Sequence, residues 1–272
     1  MPDLLPFSDR LARSTADAGA PLCVGLDPDP ARLPDSLTDT RAEDRVRSFC
    51  FAITESVADV AAAFKPNLAF FEALGPPGWR VLADVCDRVR QTGRLLVLDG
   101  KRGDIGNTGR RYAAALYDEL AGDAATVAPY MGRDSVVPFL EHAGRCAFVL
   151  VATSNPGGAD FQHRVSDGLP LYRHVADGAV EAADGHAGEV GFVAGATRPA
   201  LLAELREAHP NVPLLVPGVG AQGGSVADVL DANASGPLLV NSSRSILYAS
   251  SRPDFAQAAR SAAESLARQL AP

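Results

Sequence analysis

Lysine is rare in this chain. Only two of its 25 lysine and arginine residues are lysines, Lys65 and Lys101. Asp99 lies two residues before Lys101, and Asp104 lies three residues after it. Lysine can donate a proton, whereas the arginine guanidinium stays charged at ordinary pH. Lys101 is therefore a candidate proton donor between two carboxylates; the alternative is a lysine that only forms a salt bridge at a strand end.

The spacing around both lysines places polar side chains on common faces. Side chains two residues apart on a strand share a face, so Asp99 can lie beside Lys101, and Asn67 beside Lys65. Opposite charges at this spacing keep the amine charged and in place. Further polar residues follow two other apolar runs, namely Asp27 and Ser154.

Asp104 and Thr108 are four residues apart at the start of a predicted helix, so we expect both on one side of it. Asp is also a frequent N-cap, which is the alternative interpretation of Asp104.

A glycine-rich segment from Pro217 to Gly224 contains the pattern G-x-G-x-x-G. This pattern is typical of dinucleotide sites when it follows the first strand and precedes an acidic residue by about 20 positions. Here it follows the seventh predicted strand, and Val240 and Asn241 stand where the acid is expected. The segment, with its residues Pro217, Gly220, Gln222 and Gly223, is better interpreted as a phosphate-binding loop, and Arg244 can complete the anion site. An ordinary glycine turn and a surface arginine are the alternative.

These residues require elements that bring them together. Eight short apolar runs are candidate strands: Pro21–Asp27, Ala62–Asn67, Leu95–Lys101, Ala125–Tyr130, Cys146–Ser154, Val190–Ala196, Pro213–Gly220 and Pro237–Ser243. Seven amphipathic stretches are candidate helices: Ala42–Val60, Gly78–Gln91, Ile105–Leu120, Leu171–Ala183, Arg198–Ala208, Gly224–Ala232 and Phe255–Gln269.

Strands that alternate with helices indicate parallel pairing with right-handed crossovers. Eight such units match a single (β/α)8 TIM barrel better than an open sheet, with residues 1–272 as one domain. The chemistry of such barrels lies at the carboxyl ends of the strands, where the polar residues fall. We expect Asn155–Pro170, which is glycine-rich and polar, to be a mobile loop above the barrel.

Composition excludes several classes of protein. The net charge of −8 argues against extensive nucleic-acid binding but leaves room for a small anionic ligand. No run approaches 18 apolar residues, and the start of the chain lacks the pattern of a signal peptide. The four widely spaced cysteines indicate reduced thiols in a cytoplasmic protein. We find no His, Cys or acidic set with the spacing of a metal site.

Taken together, the sequence resembles orotidine 5′-phosphate decarboxylase, in the longer bacterial branch of that family. The resemblance covers most of the chain and rests on five motifs: Asp99-x-Lys101-x-x-Asp104-Ile105-x-x-Thr108, Phe64–Asn67, Thr153–Gly158, Pro217–Gly224 and Arg244–Ile246. The sequence departs from the family at Ser243, where a glycine usually precedes the arginine, and its segment 155–170 is longer than in compact members.

The resemblance implies a homodimer that converts orotidine 5′-monophosphate to UMP and CO2 without cofactor or metal. Lys101 would donate the proton to C6, flanked by Asp99 and by Asp104 of the partner subunit. The remaining implied roles are ribose binding by Lys65, Asp27 and the partner's Thr108, pyrimidine contact by Ser154, and phosphate binding by Gln222 and Arg244.

Two other functions remain open at this point. D-x-K-x-x-D is shared with metal-dependent sugar-phosphate aldolases and decarboxylases of the same superfamily, which would be sensitive to EDTA. A phosphate-binding barrel without catalysis is the third possibility, although it would have no need of both lysines and three carboxylates.

Overall fold

The eight apolar runs form parallel strands that close into a barrel, in a computed structural model that describes residues 5–219 and 223–271. Each barrel strand begins and ends within three residues of its predicted bounds. The barrel strands are β1 (Leu22–Leu26), β2 (Ala63–Pro66), β3 (Leu95–Arg102), β4 (Ala124–Val127), β5 (Cys146–Ala152), β8 (Glu189–Ala194), β9 (Leu214–Pro217) and β10 (Leu238–Ser242). The predicted (β/α)8 fold is therefore confirmed: β1 pairs with β2 on one side and with β10 on the other.

Helices surround the barrel, and all seven predicted helices are present. They are α2 (Ala42–Val57), α4 (Pro76–Gln91), α5 (Gly106–Ala114), α7 (Leu171–Ala183), α8 (Pro199–Ala208), α9 (Val226–Asn233) and α11 (Phe255–Leu270). The predicted helix over 105–120 is completed by a π-helical turn, Ala115–Glu119. Their apolar stripes face the sheet; in α4, for example, Val81, Val85 and Val89 are buried at a spacing of one helical turn.

Four helices were not predicted. They are α1 (Phe7–Ala18), α3 (Leu68–Glu72), α6 (Val137–Leu140) and α10 (Arg244–Leu247). The last three are only one turn long, too short for an amphipathic period to be recognised. α1 covers the amino ends of the strands, where Phe7 and Leu11 are buried in the core inside the barrel and Phe7 contacts Phe148 edge-to-face.

Two apolar layers hold the barrel together. One lies between strands and helices, and the other fills the interior with side chains such as Val97, Phe148 and Leu239. This interior is packed with side chains rather than open. The four cysteines are buried and free, as predicted.

The segment 155–170 was predicted as irregular, yet it contains a 3-10 turn (Pro156–Asp160) and a two-residue hairpin of β6 (Val165–Ser166) and β7 (Leu169–Pro170). It is also attached to the barrel, because Gln162 accepts a hydrogen bond from the Thr153 N–H and donates one to its hydroxyl, each at 2.9 Å. Gln162, in the middle of the segment, is thus held against Thr153, the residue before Ser154.

Candidate active site

A charged network lies at the carboxyl ends of β2 and β3. The two oxygens of Asp99 accept hydrogen bonds from two ammonium groups, Lys65 Nζ at 2.7 Å and Lys101 Nζ at 2.6 Å. Thr126 of β4 donates its hydroxyl to the same carboxylate at 2.9 Å. The Lys65 and Asp99 side chains are 6% and 9% exposed, whereas that of Lys101 is 48% exposed. Lys101 is therefore the amine that a ligand at the barrel mouth can reach.

Burial and charge act against each other in this network. Burial alone would raise the pKa of Asp99, but the ammoniums of Lys65 and Lys101 outweigh it and hold that pKa well below its usual value. Burial alone would lower the pKa of Lys65, but the carboxylates of Asp99 and Asp27 raise it above its usual value. Lys65 and Asp99 therefore both stay charged across the physiological pH range.

The backbone of Lys101 is strained. Its φ is 45°, in the left-handed region that residues with a side chain rarely adopt. The pairing of β3 with β4 shifts register between Leu98 and Arg102, and the Lys101 N–H donates to the Thr126 hydroxyl at 2.9 Å. Such a bulge re-aims a side chain, and strain of this kind persists where surrounding contacts fix it. The fold thus holds this one amine in a position that regular strand geometry would not give it.

Removing the shared carboxylate should destabilise the protein in a pH-dependent way. We expect Asp99→Asn to lower the free energy of unfolding by about 3–5 kcal/mol near neutral pH, because Lys65 is left buried without its main partner. In the wild-type protein the pKa of Lys65 is raised, so its ammonium contributes fully to the free energy of unfolding at any pH below the ordinary lysine pKa of about 10.4. In the variant, burial dominates and the pKa of Lys65 in the folded state falls below its value in the unfolded chain. The unfolded chain then binds more protons than the folded one, so the free energy of unfolding rises with pH.

Urea unfolding at pH 6 and pH 9 measures this effect. Asp87→Asn is the matched control, since it removes the same charge from an exposed ion pair with Arg90. The loss of unfolding free energy relative to wild type should be larger at pH 6 than at pH 9. A loss that is equal at both pH values, or no larger than that of Asp87→Asn, would contradict the expected role of Asp99.

Two adjoining cavities flank the network and share Lys65, Asp99 and Pro217. The first, of about 160 Å³, runs between the ends of β1, β2, β9 and β10 to Arg244 and is also lined by Asp27 and Asn67. The second, of about 150 Å³, lies above β4 and β5; Lys101, Thr126, Thr153 and Ser154 line it. Together they form a two-lobed cleft with the charged network at its centre.

Arg244 lies at the far end of the first lobe, directly after the predicted strand Pro237–Ser243. The last barrel strand ends at Ser242, and Arg244 is the first residue of α10. Its side chain makes no ion pair with the described residues, so its charge is available to an anion. Ser243 has φ −118°, which any residue can adopt, so this backbone does not require glycine. The Ser243 side chain occupies space left by Gly25 on the neighbouring strand β1, where a Cβ would lie 1.9 Å from Ser243 Oγ.

The first lobe also contains two buried oxygens that lack a partner among the described residues, Asp27 Oδ1 and Asn241 Oδ1. A buried acceptor without a hydrogen bond is costly, which makes both atoms sites for a ligand's hydroxyl or N–H group. The residue that follows α10 fixes the backbone at Asp27, because the Tyr248 hydroxyl donates to Asp27 O at 3.0 Å and accepts from the Asp29 N–H at 2.6 Å.

Asp104 and Thr108 lie outside both lobes of their own chain. Asp104 also precedes α5 rather than lying on it, so the helical spacing predicted for the pair is wrong. Its Oδ1 accepts the Ile105 N–H at 2.8 Å, but Ile105, not Asp104, occupies the N-cap position. Thr108 is exposed on the first turn of α5.

The predicted phosphate loop is described in part. Gly220 and Gln222 lie outside the described residues. Pro217 ends β9 and lines both lobes, whereas Gly223 is exposed with a left-handed φ of 85°, a conformation that favours glycine.

Comparison with known proteins identifies the family. The model of the orotidine 5′-phosphate decarboxylase / HUMPS family matches residues 20–261. The chain is 48% identical to orotidine 5′-phosphate decarboxylase of Roseiflexus castenholzii over 90% of both chains. This chain belongs to the orotidine 5′-phosphate decarboxylase / HUMPS family.

Solved structures agree with this assignment. The OMP decarboxylase of Leishmania donovani superposes with a TM-score of 0.84 and 34% identity, covering 98% of this chain and 97% of that one. The UMP synthase of the same organism gives a TM-score of 0.85 and 37% identity; the match covers 98% of this chain and 56% of that longer one.

Two features are absent from the described residues of this family member. None of its described helices combines the length and apolar character needed to span a bilayer. Across residues 5–219 and 223–271 there is no group of three or more His, Cys, Asp or Glu side chains arranged to hold a metal ion.

Two residues of the cleft were missed from the sequence, Thr126 and Asn241. Each is a buried polar residue inside a predicted strand, and that polarity was the available signal. Neither residue follows an apolar run, which is the pattern that indicates other cleft residues such as Asp27 and Ser154. Thr126 joins Lys101 to Asp99, and Asn241 lines the lobe that leads to Arg244.

Proposed function

We propose that this chain catalyses the decarboxylation of orotidine 5′-monophosphate to UMP and CO2, the last step of de novo UMP synthesis. The observation that carries the proposal is the Lys65–Asp99–Lys101 network in the centre of a cleft that ends at Arg244. Membership of the family and 48% identity with a named decarboxylase support it.

The chemistry requires a cation at one carbon of the substrate. When the C6–carboxylate bond breaks, CO2 leaves and the electron pair stays on C6, in the ring plane, where the π-system cannot absorb it. An ammonium held at that carbon stabilises the pair electrostatically and then donates a proton to form the C6–H bond. Lys101 Nζ has the position for this, since it is exposed to the cleft while Asp99 keeps it oriented at 2.6 Å.

The two lobes fit the two ends of the substrate. The pyrimidine would occupy the lobe of Ser154 and Lys101, and the ribose would lie beside Asp27, Lys65 and Asn67, whose polar groups suit hydroxyl partners. The phosphate would then reach Arg244, with Gln222, Gly220 and Gly223 as further candidates in the loop after β9. Binding energy from that remote phosphate can be used to orient the reacting ring.

Arg244→Ala should act mainly through the phosphate. A charge-assisted contact contributes about 1.5–3 kcal/mol, so kcat/KM for orotidine 5′-monophosphate should fall about tenfold to a hundredfold or more. The loss should shrink sharply with orotidine, which has no phosphate. The matched control is Arg252→Ala, an exposed arginine outside the cleft that is paired with Asp254. Equal losses on both substrates would mean that Arg244 has only a structural role.

The proposed active unit is a homodimer with shared sites. Asp104 and Thr108 do not line the cleft of their own chain, so a second chain would supply them. Exposed apolar side chains on this side of the barrel, Ile105 on the loop before α5 and Tyr112 on α5, are 49% and 38% exposed and suit a contact with a second copy.

The proposal also covers domain organisation, location in the cell and binding partners. We propose one catalytic domain over residues 1–272, acting in the cytoplasm on a small-molecule substrate, with no nucleic acid, membrane, cofactor or metal involved. The net charge of −8 and the buried free cysteines support this setting.

A spectrophotometric assay tests the function directly. Purified protein should deplete the absorbance of orotidine 5′-monophosphate at an unchanged rate with and without EDTA. Loss of activity in EDTA, or activity only on a sugar phosphate, would favour the metal-dependent aldolase alternative. Phosphate binding without turnover of any of these substrates would favour the non-catalytic barrel.

A further inference from the structure

A third cavity, of about 430 Å³, opens at the other end of the barrel. It lies between α1, the end of α4 and the turns that lead into β3, β4 and β5. Its lining includes five arginines, Arg10, Arg13, Arg90, Arg94 and Arg145. Leu95, the first residue of β3, also lines it. Lys101 lies six positions after Leu95 along the strand, a distance of about 20 Å, so this cavity is not part of the cleft described above.

The charge in this cavity is opposite to that of the whole chain. Five guanidiniums and two carboxylates, Asp17 and Asp123, line the cavity in a protein of net charge −8. Asp87, outside the lining, pairs with Arg90, which still leaves more cations than carboxylates. Asp123 is already shared, because one of its oxygens binds both Arg10 and Arg145 while the other accepts the Leu96 N–H at 2.8 Å. One carboxylate cannot neutralise two guanidiniums, so positive charge remains.

A purely structural role explains only part of the cluster. The ion pairs of Asp123 tie α1 to the amino ends of the strands, as expected for a stabilising network at this end of a barrel. Arg13 makes no hydrogen bond or ion pair with the described residues, and Arg94 donates only to the carbonyl oxygens of Ala58 and Asp59. Arg94 also lies near the Asp59 carboxylate, so Arg13 is the guanidinium whose charge is left unpaired by the described residues.

Burial makes the excess positive charge unfavourable. Arg10 Nε is buried and has no hydrogen-bond partner in the part of the chain that the structure describes. Burial also lowers the pKa of the Arg145 guanidinium; Asp123 acts in the opposite direction, and the neighbouring cation of Arg10 lowers that pKa further. An anion in the cavity would relieve both effects.

We propose that this cavity is a binding site for a small phosphorylated anion that carries a diphosphate group. Guanidinium forks match phosphate oxygens in geometry and charge, and arginine is the residue of choice for such recognition. The volume exceeds that of a single phosphate and falls in the usual range of small-molecule sites, about 300–1,000 Å³. Inorganic pyrophosphate and a nucleoside diphosphate share this chemistry.

Calorimetric titration of pyrophosphate into the full chain tests the site. The Arg244→Ala variant serves as background, so that the proposed phosphate end of the cleft contributes little. We expect one binding site, weakened about tenfold or more by Arg13→Ala and by Arg94→Ala. Arg268→Ala is the matched control, because Arg268 is also an exposed helical arginine without an ion pair in the described chain and lies outside the cavity. It should leave the affinity unchanged.

ADP in the same titration separates the two sources of the diphosphate. Tighter binding of ADP than of pyrophosphate would identify a nucleotide site, and equal or weaker binding a site for the diphosphate group alone. Arg13→Ala, made in the otherwise wild-type chain, should leave the decarboxylation rate without added pyrophosphate unchanged. If neither compound binds, or if binding is the same in Arg13→Ala and Arg268→Ala, the proposal is wrong.

Discussion

Replacing Lys101 with alanine should abolish decarboxylation while leaving a folded protein that still binds UMP. Lys101 is the amine of the network that is exposed to the cleft, and Asp99 and Thr126 fix its position. Without it, no ammonium is held where the electron pair of C6 would form. The buried Lys65–Asp99 pair remains intact in the variant, so the fold should be preserved.

Initial rates with orotidine 5′-monophosphate, together with UMP titration and circular dichroism, measure this outcome. Residual activity above about a hundredth of wild type corresponds to a loss smaller than about 2.7 kcal/mol and would show that Lys101 is not the proton donor. Lys101→Arg is a matched control, because it keeps a cation beside Asp99 but cannot give up a proton. An active arginine variant would mean that charge alone is sufficient.

The barrel could be predicted because its signals are local. Each strand is a short apolar run, and the alternation with amphipathic helices leaves few topologies open. The position of the cleft followed from the same pattern, since polar residues such as Asp27, Lys65 and Asp99 come where apolar runs end. Asp99 and Lys101 meet at 2.6 Å as expected, although a bulge rather than regular strand spacing places the amine there.

Other features depend on contacts that sequence spacing does not encode. The left-handed φ of Lys101 accompanies a register shift against β4 and a hydrogen bond that its N–H donates to Thr126, 25 residues further along the chain. α10 was not predicted because it has only four residues and follows β10 after a single residue, Ser243. α1 was missed although it is 12 residues long, because its buried side chains Phe7, Leu11 and Ser14 include a polar one.

Asp104 is the residue whose role depends most on a second chain. It lies outside the cleft of its own chain, on the loop before α5, while Lys101 lies within the cleft. If the partner subunit supplies Asp104, then Lys101→Ala and Asp104→Ala each inactivate both sites of a homodimer, although the two lesions affect different sides of each site. Each variant alone should therefore be inactive.

Mixing the two inactive variants should restore activity. In a mixed dimer one site carries both lesions and the other carries neither. Random exchange makes about half of all dimers mixed in a closed two-fold assembly, so about one quarter of wild-type sites should return. The assay is the decarboxylation rate after co-incubation, with subunit exchange followed by native mass spectrometry. Lys101→Ala mixed with Lys101→Arg is the control and should stay inactive, because no site in that mixture regains the amine. If subunits exchange and no activity returns, Asp104 serves its own chain, and the loop before α5 would have to move into the cleft beside Lys101.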